Sequence, residues 1–486
     1  MQADSLRDLG MSSERWQAPA TRAASRSSMS EQTPYWVALA FLLIHVLLAL
    51  LIDASDAQVF VRADRAEARM ETVLAFLASA SAGQMQEFLA NHGILGDYAP
   101  HALLYFLGGR WAVVGFQVVL AVISGLCVYR LAVLLALSRF AATVTMAVYL
   151  CMPHSLVFAH QLATEALHVP LFVISTWLLA EALVRRKPAW LISSALLLGL
   201  ATLVRPITLL WPCAAALVIA FAHRPSRGVL YASMAYLPIV LWMAFVLIRT
   251  GEFGLGKSDH SMERNLYERV ARIIATLPPE ERDNARADYL PTGNDGHART
   301  VGPVQYLRFV AAYPVASFKH LMHDMTAFFA KSGVERVTID YLALTPHADA
   351  LQDPDHGWRQ QLELHGWPYT VRYLWQALGK TLLISVIGAI AFVALVVLAC
   401  IGAFDTLRGW RKFTTPRIAI GLLLVGAIAY TFAFSHVINA VQSRHRAPAE
   451  FAIVLLAAAG LSATRARRKD RTPSSTPTMS NSIHAH

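Results

Sequence analysis

Long apolar runs separated by polar connections repeat along the chain, near residues 35–52, 111–137, 140–157, 162–183, 189–204, 206–222, 228–249, 380–404, 417–436 and 448–464. Crossing about 30 Å of hydrocarbon takes roughly 20 apolar residues in a helix. A bilayer offers no water to backbone groups, so each run must satisfy its own hydrogen bonds. The pattern therefore predicts an all-α polytopic bundle of about ten transmembrane helices. Arg205-Pro206 divides the longest run. One kinked helix there would put the flanking basic clusters on opposite faces, whereas a tight hairpin keeps them together, with Arg205 at the outer interface.

Basic residues fall in alternate connections: Arg139; Arg185, Arg186 and Lys187; Arg224 and Arg227; Arg408, Arg411, Lys412 and Arg417. Lys and Arg concentrate on the cytoplasmic side of membrane proteins, so these loops and both tails are expected there. The expected organisation is a polar tail (1–34), an N-terminal transmembrane module (35–249) whose first outer loop spans 53–110, a large outer loop acting as a lid (250–378), C-terminal spans (379–464) and a disordered tail (465–486).

Both outer loops carry helical periodicity. Met70, Val73, Leu74 and Leu77 predict an amphipathic helix along the membrane, and Leu266, Val270, Ile273, Ile274 and Leu277 repeat the device. Pro279-Glu280-Glu281 has the order of a helix start, with proline first and acids in the first turn.

Composition narrows the class. With 56% hydrophobic and 15% charged residues among 486, the chain is too apolar for a soluble multidomain protein. Its net charge of +10 lies largely in short loops and tails, where it orients the protein, so no nucleic-acid partner is expected. Cys127, Cys151, Cys213 and Cys400 lie inside apolar runs without a Cys-x-x-Cys pair, which argues against disulfides and zinc. The first apolar run lacks a small-residue cleavage pattern and reads as an uncleaved helix. No internal repeat or paired broken helices mark a secondary transporter.

Several segments together resemble the GT-C superfamily of polytopic glycosyltransferases, in particular the lipid A aminoarabinose transferases, the protein O-mannosyltransferases and bacterial lipopolysaccharide glycosyltransferases. They are an acidic loop after the first span; Gly96-Asp97-Tyr98-Ala99-Pro100-His101-Ala102-Leu103-Leu104-Tyr105; Thr164-Glu165; Gly199-Leu200-Ala201 leading into Arg205-Pro206; and Arg444-His445-Arg446-Ala447-Pro448. The resemblance implies an inner-membrane enzyme of a bacterium. It would move a sugar from a polyprenyl-phosphate carrier to a lipid or lipopolysaccharide-type glycan on the periplasmic face, with inversion. Donor, acceptor and membrane lipids are its implied partners; no cofactor is implied, and metal dependence is open. The chain departs from the pattern in having about ten spans and no adjacent paired acids in its first loop. A re-entrant piece at 101–108 would account for a missing span.

A sugar on a lipid phosphate already has a good leaving group. The reaction needs a carboxylate to take the acceptor's proton and cations to hold the phosphate. Asp64 is the first candidate base, although Asp64-x-x-Glu67 also reads as a helix cap; Asp53 and Asp56 are alternatives. Asp97 is a candidate second carboxylate or a turn residue beside Gly96. His101 either orients an acceptor or is a surface histidine. Arg444, Arg446 and Arg205 suit the carrier phosphate through their planar forks, or anchor headgroups. Lys331 is a further phosphate candidate, and Glu165 either lines the site or faces its own helix dipole. His347, Asp349, Asp353, Asp355, His356 and His365 match no metal-ligand spacing and read as solvated loop.

Rival readings are a lipid-linked glycan transporter or flippase, a non-catalytic membrane partner, and a polymerase or ligase of undecaprenyl-linked glycans. The first needs a central polar pathway, the second makes no outer carboxylate essential, and the third takes a larger diphosphate-linked donor.

Overall fold

The computed structural model describes residues 31–55, 66–84, 88, 95–251, 254–255, 261–290, 300–334, 337, 365–373, 375, 380–408, 415–438 and 443–471. Among the described residues there is no strand; seven helices are long and apolar enough to cross a membrane, with three shorter apolar helices beside them. The N-terminal part runs α1 Thr33–Ser55, α2 Ala66–Ala82, α3 Leu95–Leu134, α4 Arg139–Leu150, α5 Pro153–Phe158, α6 Thr164–Arg185, α7 Pro188–Val204, α8 Trp211–Ala222 and α9 Pro225–Thr250. The large loop holds α10 Ser261–Ala275, α11 Pro279–Tyr289, α12 Pro303–Ala312 and α13 Pro314–Phe329. The chain then continues through α14 Lys380–Leu407, α15 Pro416–Ile438 and α16 Ala447–Arg471. Every predicted apolar run lies on helix, although 140–157 is divided between α4 and α5, and the architecture is an all-α polytopic bundle.

Two departures in length shape the site. The segment 95–107, expected in a polar loop, is helical and continues α3 past a kink at Gly108 and Gly109. Gly109 has φ +62°, a conformation open to glycine at no steric cost. In the other direction, α4 has 12 residues and α7 has 17. At 1.5 Å per residue they reach about 18 and 25 Å, short of about 30 Å of hydrocarbon.

The chain reverses at Arg205-Pro206. Along α9, Tyr231 meets Ser194 of α7 and Gly199 packs farther on against Ala235 and Pro238, so α7 and α9 run together. Gly228 sits on Ala216 and Ala220 while Tyr236 bonds Leu209 O at 2.9 Å, so α8 runs the other way. This is the hairpin expected from the charge pattern.

Inside the bundle, Phe172 of α6 meets Trp211 and Phe451 edge-on at 6.0 and 5.9 Å. Helices α14 and α16 cross where Gly402 and Gly460 oppose each other's backbones.

The apolar face of α10 is real but covered differently than the sequence suggested. Leu266, Val270, Ile273, Ile274 and Leu277 pack with Ala285, Val301, Tyr306 and Phe309 into a core belonging to the large loop itself. Periodicity reports that a face is apolar, not whether protein or lipid covers it. On α2, Val73 is buried and Met70 packs beside Val113 and Leu162, whereas Leu74 is exposed. The basic run after Thr464, expected to be disordered, continues α16 to Arg471, and Arg467 pairs with Asp405 at 3.0 Å.

The large loop is tied to the bundle at two places. Arg269 Nη1 of α10 and His436 Nδ1 of α15 approach Asp324 Oδ2 of α13 at 2.9 and 2.7 Å. Beyond α13, residues 328–332 enter the bundle over Arg446.

Candidate functional site

The candidate site centres on the start of α6. Glu165 stands in its first turn, where the helix dipole favours an acid, and forms an ion pair with Arg205, which caps α7 in extended backbone. Both are largely shielded, at 6% and 19% side-chain exposure. Arg69 of α2 and Arg444 of the 3-10 turn Ser443–Arg446 also lie close enough to Glu165 to act on its charge. Arg205 is thus the contact partner of this carboxylate, and Arg69 and Arg444 stand within electrostatic reach of it. The helix behind the first span and the turn ahead of the last span therefore lie at the same end of the bundle as the start of α6.

Arg446, two residues from Arg444, has a different environment. It is fully buried. Its Nη1 donates to Phe328 O and, at 2.6 Å, to Lys331 O; its Nη2 donates to Ser332 O at 3.2 Å. Nε donates to Glu450 Oε1 at 3.2 Å, and the guanidinium lies 3.8 Å over the Phe392 ring. Its donors are spent on the protein, so the fork is not presented to a phosphate, as the sequence reading expected; the residue fastens the large loop to α16. Lys331 gives its carbonyl to this clamp while its side chain is exposed. His101 is buried, not superficial, and its Nε2 lies 3.0 Å from Gln117 Nε2 on the far side of the α3 kink.

The candidate bases fall differently. Asp64 and Asp56 lie outside the described residues, as do residues 338–364 with most of the acid- and histidine-rich segment. Asp53 and Asp97 stand on α1 and α3, and their side chains are outside the described set. Arg69, five positions after Asp64, carries the nearest described side chain on that helix that reaches the cluster.

A pair the sequence reading did not single out lies just beneath. His154 Nδ1 meets Glu450 Oε1 at 2.6 Å, both side chains 1% exposed. A narrow cavity joins them to Glu165, lined also by Ser124, Tyr149, Ser155 and Ala447. The Arg446-to-Glu450 spacing of four was visible on α16, but the histidine partner is 296 residues away in sequence, and nothing local marks it. Among the described residues no group of three or more His, Cys, Asp or Glu could hold a metal ion.

Residues 92–249 match the family described as dolichyl-phosphate-mannose-protein mannosyltransferase. The matched stretch carries His154, Glu165 and Arg205 and supports a membrane glycosyltransferase of the GT-C type. No curated protein matches the chain.

Proposed function

We propose that this GT-C-type membrane glycosyltransferase takes its sugar from a polyprenyl-phosphate carrier and passes it, with inversion, to a lipid or lipopolysaccharide-type glycan on the periplasmic face of a bacterial inner membrane. The observation that carries this reading is the shielded Glu165–Arg205 ion pair with Arg69 and Arg444 within electrostatic reach of the same carboxylate. A carrier phosphate arrives from the membrane with its lipid still embedded, so its receptor must sit at or below the outer interface. Arginine forks supply paired donors to phosphate oxygens.

In the reaction the acceptor oxygen bonds to the anomeric carbon as that carbon's bond to the phosphate oxygen breaks. The carrier phosphate leaves with the electron pair, and the acceptor's proton passes to a carboxylate, for which Asp64 is the assignment and Asp97 the second acid. Charge grows on the phosphate as the bond breaks, so arginines placed there act most strongly in the transition state. Glu165 holds Arg205 in place, His101 and Lys331 belong to the surrounding shell, and Arg446 holds the lid. The matched family's description names a mannose donor, which makes polyprenyl-phosphate mannose the first donor to assay.

Two variants test this. Arg444→Ala should raise the donor concentration at half-maximal rate roughly 10- to 100-fold, the loss expected for a charge-assisted hydrogen bond; an unchanged donor dependence removes Arg444 from the site. Asp64→Asn should abolish transfer while donor binding persists, and normal glycan labelling would move the base elsewhere.

A further inference from the structure

The chemistry above makes no use of the His154–Glu450 pair, yet its surroundings call for a ligand. His154 Nε2 is buried and has no hydrogen-bond partner among the described residues. An unpaired polar atom in such a place costs about 1–3 kcal/mol, and native proteins keep few of them unless a ligand or water completes the set. The ring is not free to swing toward a protein partner. Glu450 holds Nδ1, Phe158 stacks at 5.7 Å, and Gly333 (φ +84°) presses on the edge: a Cβ there would stand 2.6 Å from Cε1 and 2.9 Å from Nε2. Glu450 is itself fixed by Arg446, which grips residues 328–332.

The ring forms one wall of the cavity that reaches Glu165. That space accommodates a group about the size of a water molecule and is lined by Ser124, Tyr149 and Ser155. With Nδ1 engaged by Glu450, Nε2 is left to donate or accept according to the form of the ring. A sugar hydroxyl, able to do either, completes both forms.

We infer that His154 contacts the transferred sugar, its Nε2 hydrogen-bonding a sugar hydroxyl seated in the cavity between Glu165 and Glu450, with Glu450 and Arg446 as positioning residues. This rests on the reading of the arginine cluster as the carrier-phosphate site. It divides recognition in two: arginines take the phosphate, and the buried imidazole inspects the sugar.

The experiment measures binding to the full chain in nanodiscs of two probes. One is undecaprenyl phosphate; the other is the same carrier loaded in turn with mannose, glucose, galactose or aminoarabinose. The wild type should bind at least one loaded carrier more tightly than the bare one. His154→Ala and the milder His154→Gln should each erase that preference, a loss of roughly tenfold for one hydrogen bond, while bare-carrier affinity stays level. Arg444→Ala should weaken both probes together. If the histidine variants weaken both probes equally, or neither, His154 is a structural residue and the inference is overturned with the phosphate site intact. If the wild type binds neither probe, the carrier reading falls and takes the inference with it. A wild type that prefers no loaded carrier overturns the inference alone.

Discussion

Arg444 and Arg446 occupy one turn of 3-10 helix, and their surroundings give them opposite roles. Arg446 satisfies three loop carbonyls and a buried carboxylate. Removing one member of a buried ion pair leaves the other charge uncompensated, at about 3–5 kcal/mol. Arg446→Ala is therefore expected to lower the thermal unfolding midpoint of the detergent-solubilised protein sharply, by that order of free energy, whereas Arg444→Ala leaves the midpoint near wild type and alters donor dependence instead. Equal midpoints for the two variants would show that burial of Arg446 contributes little. Both residues were legible in the sequence as phosphate candidates just ahead of the last apolar run. Their division of labour was not, because it depends on where carbonyls from residues 328–332 arrive.

At the scale of elements, spans were easy to read and their ends were harder. Leu/Ala/Val runs commit to helix because nothing else is viable in hydrocarbon, so each run appeared as helix, with 140–157 divided between α4 and α5. The continuation of α3 back to Leu95 was hidden by Gly108-Gly109, which looks like a loop and is a kink. The close crossing of α14 and α16 is built on glycine. A Cβ at Gly460 would overlap Leu398 O, and one at Gly402 would overlap Leu456 O; small residues let helix backbones approach in this way. Gly460→Val should thus force the pair apart and destabilise by about 1–3 kcal/mol, the usual range for overpacking. Gly115, whose added Cβ would meet nothing within 4 Å, is the control: Gly115→Ala should leave the unfolding midpoint unchanged. Similar midpoints for both would mean the crossing relaxes freely.

For the molecule as a whole, the attachment of the large loop depends on charge. Asp324 lies between Arg269, His436 and His320. Burial alone would push its carboxyl up, but the hydrogen bond from His436 and the Arg269 guanidinium hold it below its ordinary value. Burial pushes His320 down to about 4, with Arg269, His436 and His323 adding and Asp324 opposing. Both shifts have the same sign in linkage: the unfolded state binds more protons, so stability rises with pH. The His320 contribution is complete above its ordinary value of 6.5 and is lost as pH falls toward about 4; that of Asp324 is lost at lower pH still. Protection factors of the α13 amides, with the intrinsic exchange rate divided out, should fall as pH drops from 7 to 4. His320→Gln should flatten that dependence, and an equally steep profile in the variant would assign the effect to other groups.

Class, the helical runs and the Arg205-Pro206 reversal were all written in the order of residues, because hydropathy and basic-residue bias act locally and the bilayer enforces them one segment at a time. Glu165, Arg205 and Arg444 were singled out as residues of one candidate site; Arg69 was not. His154 and Glu450, the spent fork of Arg446, and the large loop's own core were not anticipated at all. Those depend on which helix lies beside which, and that is set by packing between segments hundreds of residues apart, where composition carries no record of the neighbour.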